Sequence, residues 1–570
     1  MSSQRTDVAP RHRISLQLLD ETFAGPVSAS TMARLQAGQQ SRRLLLVKVV
    51  QQLVSDADSW DVLVAADTRS PEAVRRVLAY PAVGTWLVRA IHKARGTVSD
   101  DMSPAAELGY LGSVAMAAAI GAGLPAAVEV PVWHGRVNLP TIGQFEVGDA
   151  VQRATVVHAD SGTYIETDGG RAVPLDELSS APLRRHRSAV DGVEVHWTID
   201  DIDPYRAFSA VEAPARLNDA EYGHWCGLLD EAWALLVRHH PAYAAELAQV
   251  DPVIVPVPVS RGLVASSSSS SFGAIIIATP ESGAALAETL VHELQHSKLN
   301  AVLDLVRLEE DPARLCYAPW RKDPRPLPGL LHGIYAFTSV AEFWRVQRHI
   351  GGESRRAVLK FLYHREQVRA ALRVVDAMPW LTEFGLRFVD VIQGRLAACD
   401  TYDVPGDIAE TVALLLAVHR FTWRLRHLAP PDGQVAAWTR RLLAGDAPPP
   451  EYEPVLEPNH RAERDTALSA LLMAKALDAD RYAALPAKPG ERALVEGRRD
   501  EAVRTFSARI AADPDDDGAW VGLFAALPGA DENTPVETVA ATYRHLVATG
   551  ADEQAPNALA AWSLERAAPG

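Results

Sequence analysis

Only three cysteines, Cys226, Cys316 and Cys399, occur in 570 residues. They lie far apart and without any C-x-x-C spacing. That excludes a disulfide framework and a thiolate zinc cluster, and leaves reduced thiols as the default. Long apolar runs are missing as well. No stretch reaches the roughly 20 apolar residues of a membrane span, and the start, "MSSQRTDVAPRHRISLQLLD", holds no leader-like apolar core. A cytoplasmic chain with no membrane partner is the expectation. The longest apolar stretch, "YLGSVAMAAAIGAGLPAAVEV", is rich in Ala and Gly and broken by Pro125, the mark of a buried helix. Positive charge is also in short supply: 56 Lys and Arg face 72 Asp and Glu, for a net charge of −16. Nucleic acid requires a basic face and is not an expected partner. One local exception, "LRRHR" at 183–187, reads most simply as a solvated loop.

What is present is the balance of an ordinary globular protein, with 48% hydrophobic and 22% charged residues. The length exceeds the roughly 250–300 residues at which one core stops growing, so several domains are expected. Apolar residues recur every three or four positions in "RRLLLVKVVQQLV" and "PEAVRRVLAYPAVGTWLVRAIHKA", which predicts helices over most of 14–124. Short β-branched runs cut by Gly and Asp turns then predict an antiparallel region over about 127–200. Helix resumes at "EYGHWCGLLDEAWALLVRHHPAYAAELAQV", followed by two strands, "VIVPVPV" and "GAIIIATP", on either side of the serine run 266–271. A long helix from about Glu281 to Leu308 follows, with Pro280 just inside its start and Glu281 in its first turn. Further helices are predicted over 326–350, 353–377, 382–398, 407–428 and 434–444. The expected fold is mainly α with a smaller antiparallel β region (α+β). Its stretches are 1–125 (helical), 126–205 (β-rich), 206–445 (metal-binding and helical), 446–459 (a Pro- and acid-rich linker) and 460–570 (helical). In the last, Gly497, Ala502, Phe506, Pro514 and Trp520 have the spacing of one tetratricopeptide repeat.

The chemistry centres on "LVHELQHSKLNAVLDL" at 290–305. On a helix, positions i and i+4 share a face, so His292 and His296 can put imidazole nitrogens on one ion, with Glu293 beside them. A strand along a substrate cleft precedes the metal helix in zincin-like enzymes, and "GAIIIATP" takes that place as an edge strand. Glu342, an acid in the otherwise aromatic and aliphatic helix "LLHGIYAFTSVAEFWRVQRHI", is costly there unless paired or bound to metal, and is the natural third ligand. His332, at the start of the same helix, is the next candidate, as a ligand or a substrate-facing group. A metzincin pattern fails, because Leu299 and Val302 stand where its Gly and third His would be. Two histidines and a carboxylate suit a hydrolytic zinc with Glu293 as general base, and equally an iron(II) facial triad. Ligand type does not choose between them.

Four segments together, "ASSSSSSFGAI", "LAETLVHELQHSKLNAVLDLV", "CYAPWRKDPRPLPGLLHGIYAF" and "VAEFWR", resemble the HExxH-motif peptide-modification proteins of ribosomal-peptide gene clusters. The resemblance implies a peptide β-hydroxylase that uses Fe(II) with 2-oxoglutarate as cosubstrate. It implies His292 and His296 as metal histidines, Glu342 as the carboxylate, a ribosomal precursor peptide as substrate, and a radical-SAM cyclophane-forming enzyme as a candidate partner. A keto acid needs a cation for its distal carboxylate, usually an Arg fork. Arg321 and Arg325, flanked by Tyr317 and Trp320, offer one; the alternative for them is an ion pair with Asp323, Glu309 or Glu310. Arg345 is a further candidate. Serines such as Ser268, Ser269 and Ser270 read as an ordered cleft loop rather than a flexible linker. Two other functions stay open: a zinc metallopeptidase of the gluzincin type, and a non-catalytic peptide-binding scaffold.

Overall fold

The computed structural model describes residues 14–54, 56–98, 102–167, 172–208, 210–258, 265–350, 354–400, 402, 404–449, 453–459, 467–551 and 555–565. The N-terminal stretch read for a leader therefore lies mostly outside the described residues, as do Val259, the first predicted position of the 353–377 helix, and 450–452 of the linker. The chain is mostly helical with an antiparallel β region, an α+β protein. It divides into two compact units, Met1–Leu308 and Glu309–Gly570.

The first unit opens with six helices: α1 (Leu16–Phe23), α2 (Ala29–Leu53), α3 (Ala57–Arg69), α4 (Pro71–Ala79), α5 (Pro81–Ala94) and α6 (Pro104–Ala122). Ser15, Ser28, Asp56, Ser70 and Ser103 cap five of them, each side chain accepting a backbone N–H three residues on. Helix α6 is the one described helix long and apolar enough to cross a membrane, and most of it is buried inside this unit. Nine strands follow: β1 (Ala126–Trp133), β2 (Arg136–Leu139), β3 (Gly143–Glu146), β4 (Arg153–Ala159), β5 (Gly162–Thr167), β6 (Ala172–Pro174), β7 (Ser180–Pro182), β8 (Arg184–Val190) and β9 (Val193–Ile199). Seven of them form a wholly antiparallel sheet, ordered β6-β5-β4-β1-β2-β3-β7. Its inner face packs Val128, Val130, Val137 and Val156 against Met116 of α6.

Next come α7 (Asp219–His239), α8 (Pro241–Leu247), β10 (Val253–Val257), β11 (Ala265–Ser266), β12 (Ala274–Ala278) and α9 (Gly283–Leu303). A second sheet runs β11-β12-β10-β9-β8. Strands β9, β10 and β12 are parallel, unlike the rest of the β structure. The runs of β10 and β12 are apolar throughout, as burial on both faces requires. Val253, Val255 and Ile276 share a core with Trp86, Leu111 and Val114 of the helices. Two expectations change here. Strand β12 is not the sheet's edge, because Ala265 and the first serine of the run, Ser266, add β11 antiparallel to it (Ala265 opposite Ile277). "LRRHR" is not a loop: most of it is strand β8, paired residue by residue with β9.

The second unit contains β13 (Leu315–Cys316), β14 (Arg325–Pro326), α10 (Leu327–Gln347), α11 (Arg355–Asp376), α12 (Glu383–Ala397), α13 (Gly406–His427), β15 (Leu428–Ala429), α14 (Gln434–Ala444) and β16 (Val455–Leu456). It ends in α15 (Leu468–Leu477), α16 (Ala479–Ala484), α17 (Pro489–Val495), α18 (Arg499–Ala512), α19 (Asp517–Ala526), α20 (Val536–Thr549) and α21 (Pro556–Leu564). The last seven helices share one core with α13, in which Phe421 meets Phe524 and Leu415 joins Leu468, Phe506 and Trp520. Part of the acid-rich stretch 446–459 is likewise tied in: β16 pairs with β15, and Asn459 N–H donates to His427 Nδ1 at 2.9 Å.

Candidate functional site

Helix α9 starts at a cap from Ser282, whose hydroxyl accepts the Ala285 N–H at 3.3 Å. Pro280 and Glu281 stand outside it, so the predicted acidic first turn is not there. A serine hydroxyl can satisfy an orphan amide that neither Pro280 nor Glu281 serves. The helix ends at Leu303 rather than Leu308, and Asp304 beyond it accepts from Gln39 at 2.7 Å and pairs with Arg42.

On this helix the two histidines face each other. Their Nε2 atoms are 3.0 Å apart and their rings are nearly perpendicular, at 84°. That separation is the length of an N–H···N hydrogen bond between the two rings, and it also puts both Nε2 atoms within reach of one divalent ion. Glu293, next to His292 in the chain, is only 3% exposed. Burial pushes its carboxyl up to about 7, partly offset by a hydrogen bond from the Ser267 hydroxyl, and its Oε2 is buried with no partner. A half-satisfied buried carboxyl beside two imidazoles is an arrangement that structural helices avoid.

The serine run is ordered. Ser268 and Ser270 bond through their hydroxyls at 2.9 Å, Ser271 N–H donates to the Ser268 carbonyl at 3.1 Å, and Arg42 holds the Ser269 carbonyl at 2.7 Å. Helix α5 passes so close that a Cβ on Gly84 would stand 2.0 Å from the Ser270 carbonyl oxygen. Of the six serines, Ser267 is the one that reaches the HExxH helix, and selecting 268–270 from the sequence missed it.

A fully buried ion pair fixes α9 itself. Lys298 Nζ lies 2.7 Å from Glu246 of α8, both side chains 0% exposed. The same ammonium donates to Gly25 O and Gln295 Oε1, while Glu246 accepts the Val27 N–H. Nothing local in the sequence announces this pair.

The remaining expected site residues belong to the second unit. Glu342 lies on α10, gripped by Arg395 of α12 through two hydrogen bonds, Nε to Oε1 at 2.9 Å and a second guanidinium nitrogen to Oε2 at 2.7 Å. Arg395 also donates to Ser339. Arg321 and Arg325 share Asp323, at 3.1 and 3.5 Å, and both are substantially exposed. The ion-pair alternative is thus realised for both. Arg345 differs: its Nε is buried without a hydrogen-bond partner, and no carboxylate pairs with it among the described residues. Tyr317 is buried among Trp423 and Leu428 with its hydroxyl on His419 Nδ1 at 2.9 Å, beneath the Arg420 guanidinium. Burial, helped by Arg420, pulls His419 down to about 4, and burial alone does the same to His332, so both imidazoles are held neutral. Trp320 packs flat on α10, where a Cβ on Gly333 would meet its ring at 2.2 Å.

Among the described residues no group of three or more His, Cys, Asp or Glu side chains stands ready around an ion. No protein-family model matches the chain, and no curated protein is significantly similar to it.

Proposed function

We propose that the protein is a non-haem Fe(II)- and 2-oxoglutarate-dependent oxygenase that hydroxylates the β-carbon of a residue in a ribosomally made precursor peptide. One observation carries the reading: His292 and His296 bring their Nε2 atoms together on one face of a helix otherwise packed into the core. The resemblance supplies the rest, namely the cosubstrate, the peptide and the role of Glu342 as carboxylate ligand. Bound by these side chains, iron supplies the oxidising chemistry in which O₂ and 2-oxoglutarate yield succinate, CO₂ and a hydroxylated C–H. The chain's own work is to hold and to orient. His292 and His296 anchor the ion, and Ser267 holds the buried Glu293 carboxyl beside them.

Succinate formation by the iron-loaded protein, dependent on 2-oxoglutarate, is the direct test. A peptidase reading competes, because a buried carboxyl with one open oxygen beside a histidine pair could also serve a zinc-bound water. Glu293→Gln separates the two. A peptidase loses turnover by several orders of magnitude without its general base. In the oxygenase the amide keeps the size and much of the hydrogen bonding, so turnover is expected to fall by no more than about 10- to 100-fold, as for second-shell losses. Metal-dependent peptide cleavage that vanishes in Glu293→Gln would sink the oxygenase.

The keto-acid anchor is now best assigned to Arg345, the candidate whose donors are not already matched by Asp323. Removing a charge-assisted fork costs about 2–4 kcal/mol, or roughly 30- to 1000-fold. Arg345→Ala is therefore expected to raise the 2-oxoglutarate requirement by that factor with metal still bound, while Arg321→Ala and Arg325→Ala change it by less than about 3-fold. An unchanged requirement in all three variants removes the clamp.

A further inference from the structure

We infer that a groove in the first unit is a binding site for an acidic segment of a peptide. The groove has a volume of about 1020 Å³ and is lined by α2, α4, strands β8 and β9 and the Phe272–Gly273 turn. Its depth holds an unusual cation. Arg43 is 3% exposed, donates one nitrogen to the Leu78 carbonyl at 2.7 Å, and leaves Nη2 buried with no partner. No carboxylate pairs with it among the described residues. Burial and the neighbouring Arg42 bring its pKa down to about 10, which still leaves it charged at neutral pH. A buried guanidinium short of a hydrogen-bond partner is costly unless negative charge lies near it.

The walls continue the pattern. The register of β8 on β9 sets Arg185 opposite Thr198 and Arg187 opposite His196, so that a basic row lies along one face. Arg187 is tied to Glu194 and Arg75 to Glu72. Arg76 and Arg185 have no ion-pair partner among the described residues. Against these three open guanidiniums the lining offers one untied acid, Asp251. In a chain of net charge −16 such a basic concavity runs against composition.

The occupant is a peptide for two reasons. The volume is at the upper end of the roughly 300–1000 Å³ of small-molecule sites, and Pro81, Leu183, Val250 and Phe272 give the groove apolar surface that a lone anion would not use. Nucleic acid, with one charge every few ångströms, would be repelled by the rest of the surface. The turn bearing Phe272 belongs to the same serine segment that sets Ser267 on Glu293, so a peptide seated here touches the loop serving the HExxH helix. Peptide binding in this groove requires no metal.

The test is fluorescence anisotropy on metal-free protein, with a short labelled peptide of Glu-Leu-Gly repeats and its Gln-for-Glu counterpart. The Glu peptide is expected to bind at least about 10-fold tighter, with affinity falling as salt rises. Arg76→Glu/Arg185→Glu, a change confined to exposed side chains, is expected to weaken it at least about 30-fold. Equal binding of the two peptides, or unchanged binding by the double variant, overturns the proposal. So does displacement of the peptide by submillimolar inorganic phosphate, which marks a small-anion site, or tighter binding of single-stranded RNA.

Discussion

His292→Ala and His296→Ala are each expected to abolish stoichiometric binding of Fe(II), and of Co(II) as its spectroscopic stand-in, while the far-UV circular dichroism stays unchanged. A single imidazole left on the helix holds a divalent ion at least about 100-fold more weakly than a chelating pair. The fold survives because both rings are only half-buried and the core face of α9 is made by Leu290, Val291, Leu294 and Leu299. Metal content after gel filtration is the readout, and full occupancy in either variant means the pair is not the site. Glu342 needs a more careful substitution. Glu342→Ala leaves Arg395 as a lone charge 7% exposed, which alone destabilises by about 3–5 kcal/mol. Glu342→Gln keeps the shape and part of the hydrogen bonding to Arg395. Metal loss in Glu342→Gln supports the ligand role; a drop in stability with metal retained assigns Glu342 to Arg395 and moves the search to His332.

Local signals in the sequence were read correctly where the structure they specify is local. The helices predicted over 382–398, 407–428 and 434–444 are found within two residues, because apolar period and flanking turn residues both act over one or two turns. "LRRHR" is a strand without an apolar period: the exposures alternate along β8, but uniformly basic side chains do not write that alternation into the sequence. The parallel pairing of β9, β10 and β12 was beyond reach, since an apolar run does not name its neighbour. The same limit applies at the site. The spacing of His292 and His296 encodes their meeting. The partners that decide what the other groups can do come from far along the chain: Arg395 lies 53 residues from Glu342 and His419 lies 102 from Tyr317.

The pair Lys298–Glu246, fully buried and distant in sequence, is expected to carry a large stability effect. Lys298→Met removes the ammonium from a site with no access to water and leaves the Glu246 carboxylate facing only the Val27 amide; its Oε2 already lacks a hydrogen-bond partner. Glu246→Leu does the reverse, removing from Lys298 its fully buried counter-charge while Gly25 O and Gln295 Oε1 still accept from it. Either change is expected to destabilise the first unit by about 3–5 kcal/mol, because the surviving charge keeps its desolvation cost and loses its compensation. The double variant Lys298→Met/Glu246→Leu buries no charge at all. Well-packed apolar replacements for a buried ion pair are commonly neutral or stabilising by 1–4 kcal/mol, so most of the loss is expected to return. Chemical denaturation of the three variants measures the coupling. Because the pair clamps α9 to α8 and to the α1–α2 connection, metal affinity at His292 and His296 is expected to fall in the single variants and recover in the double. Recovery of stability without recovery of metal binding would mean that the charge pair, and not merely the packing it secures, sets the orientation of the histidine face.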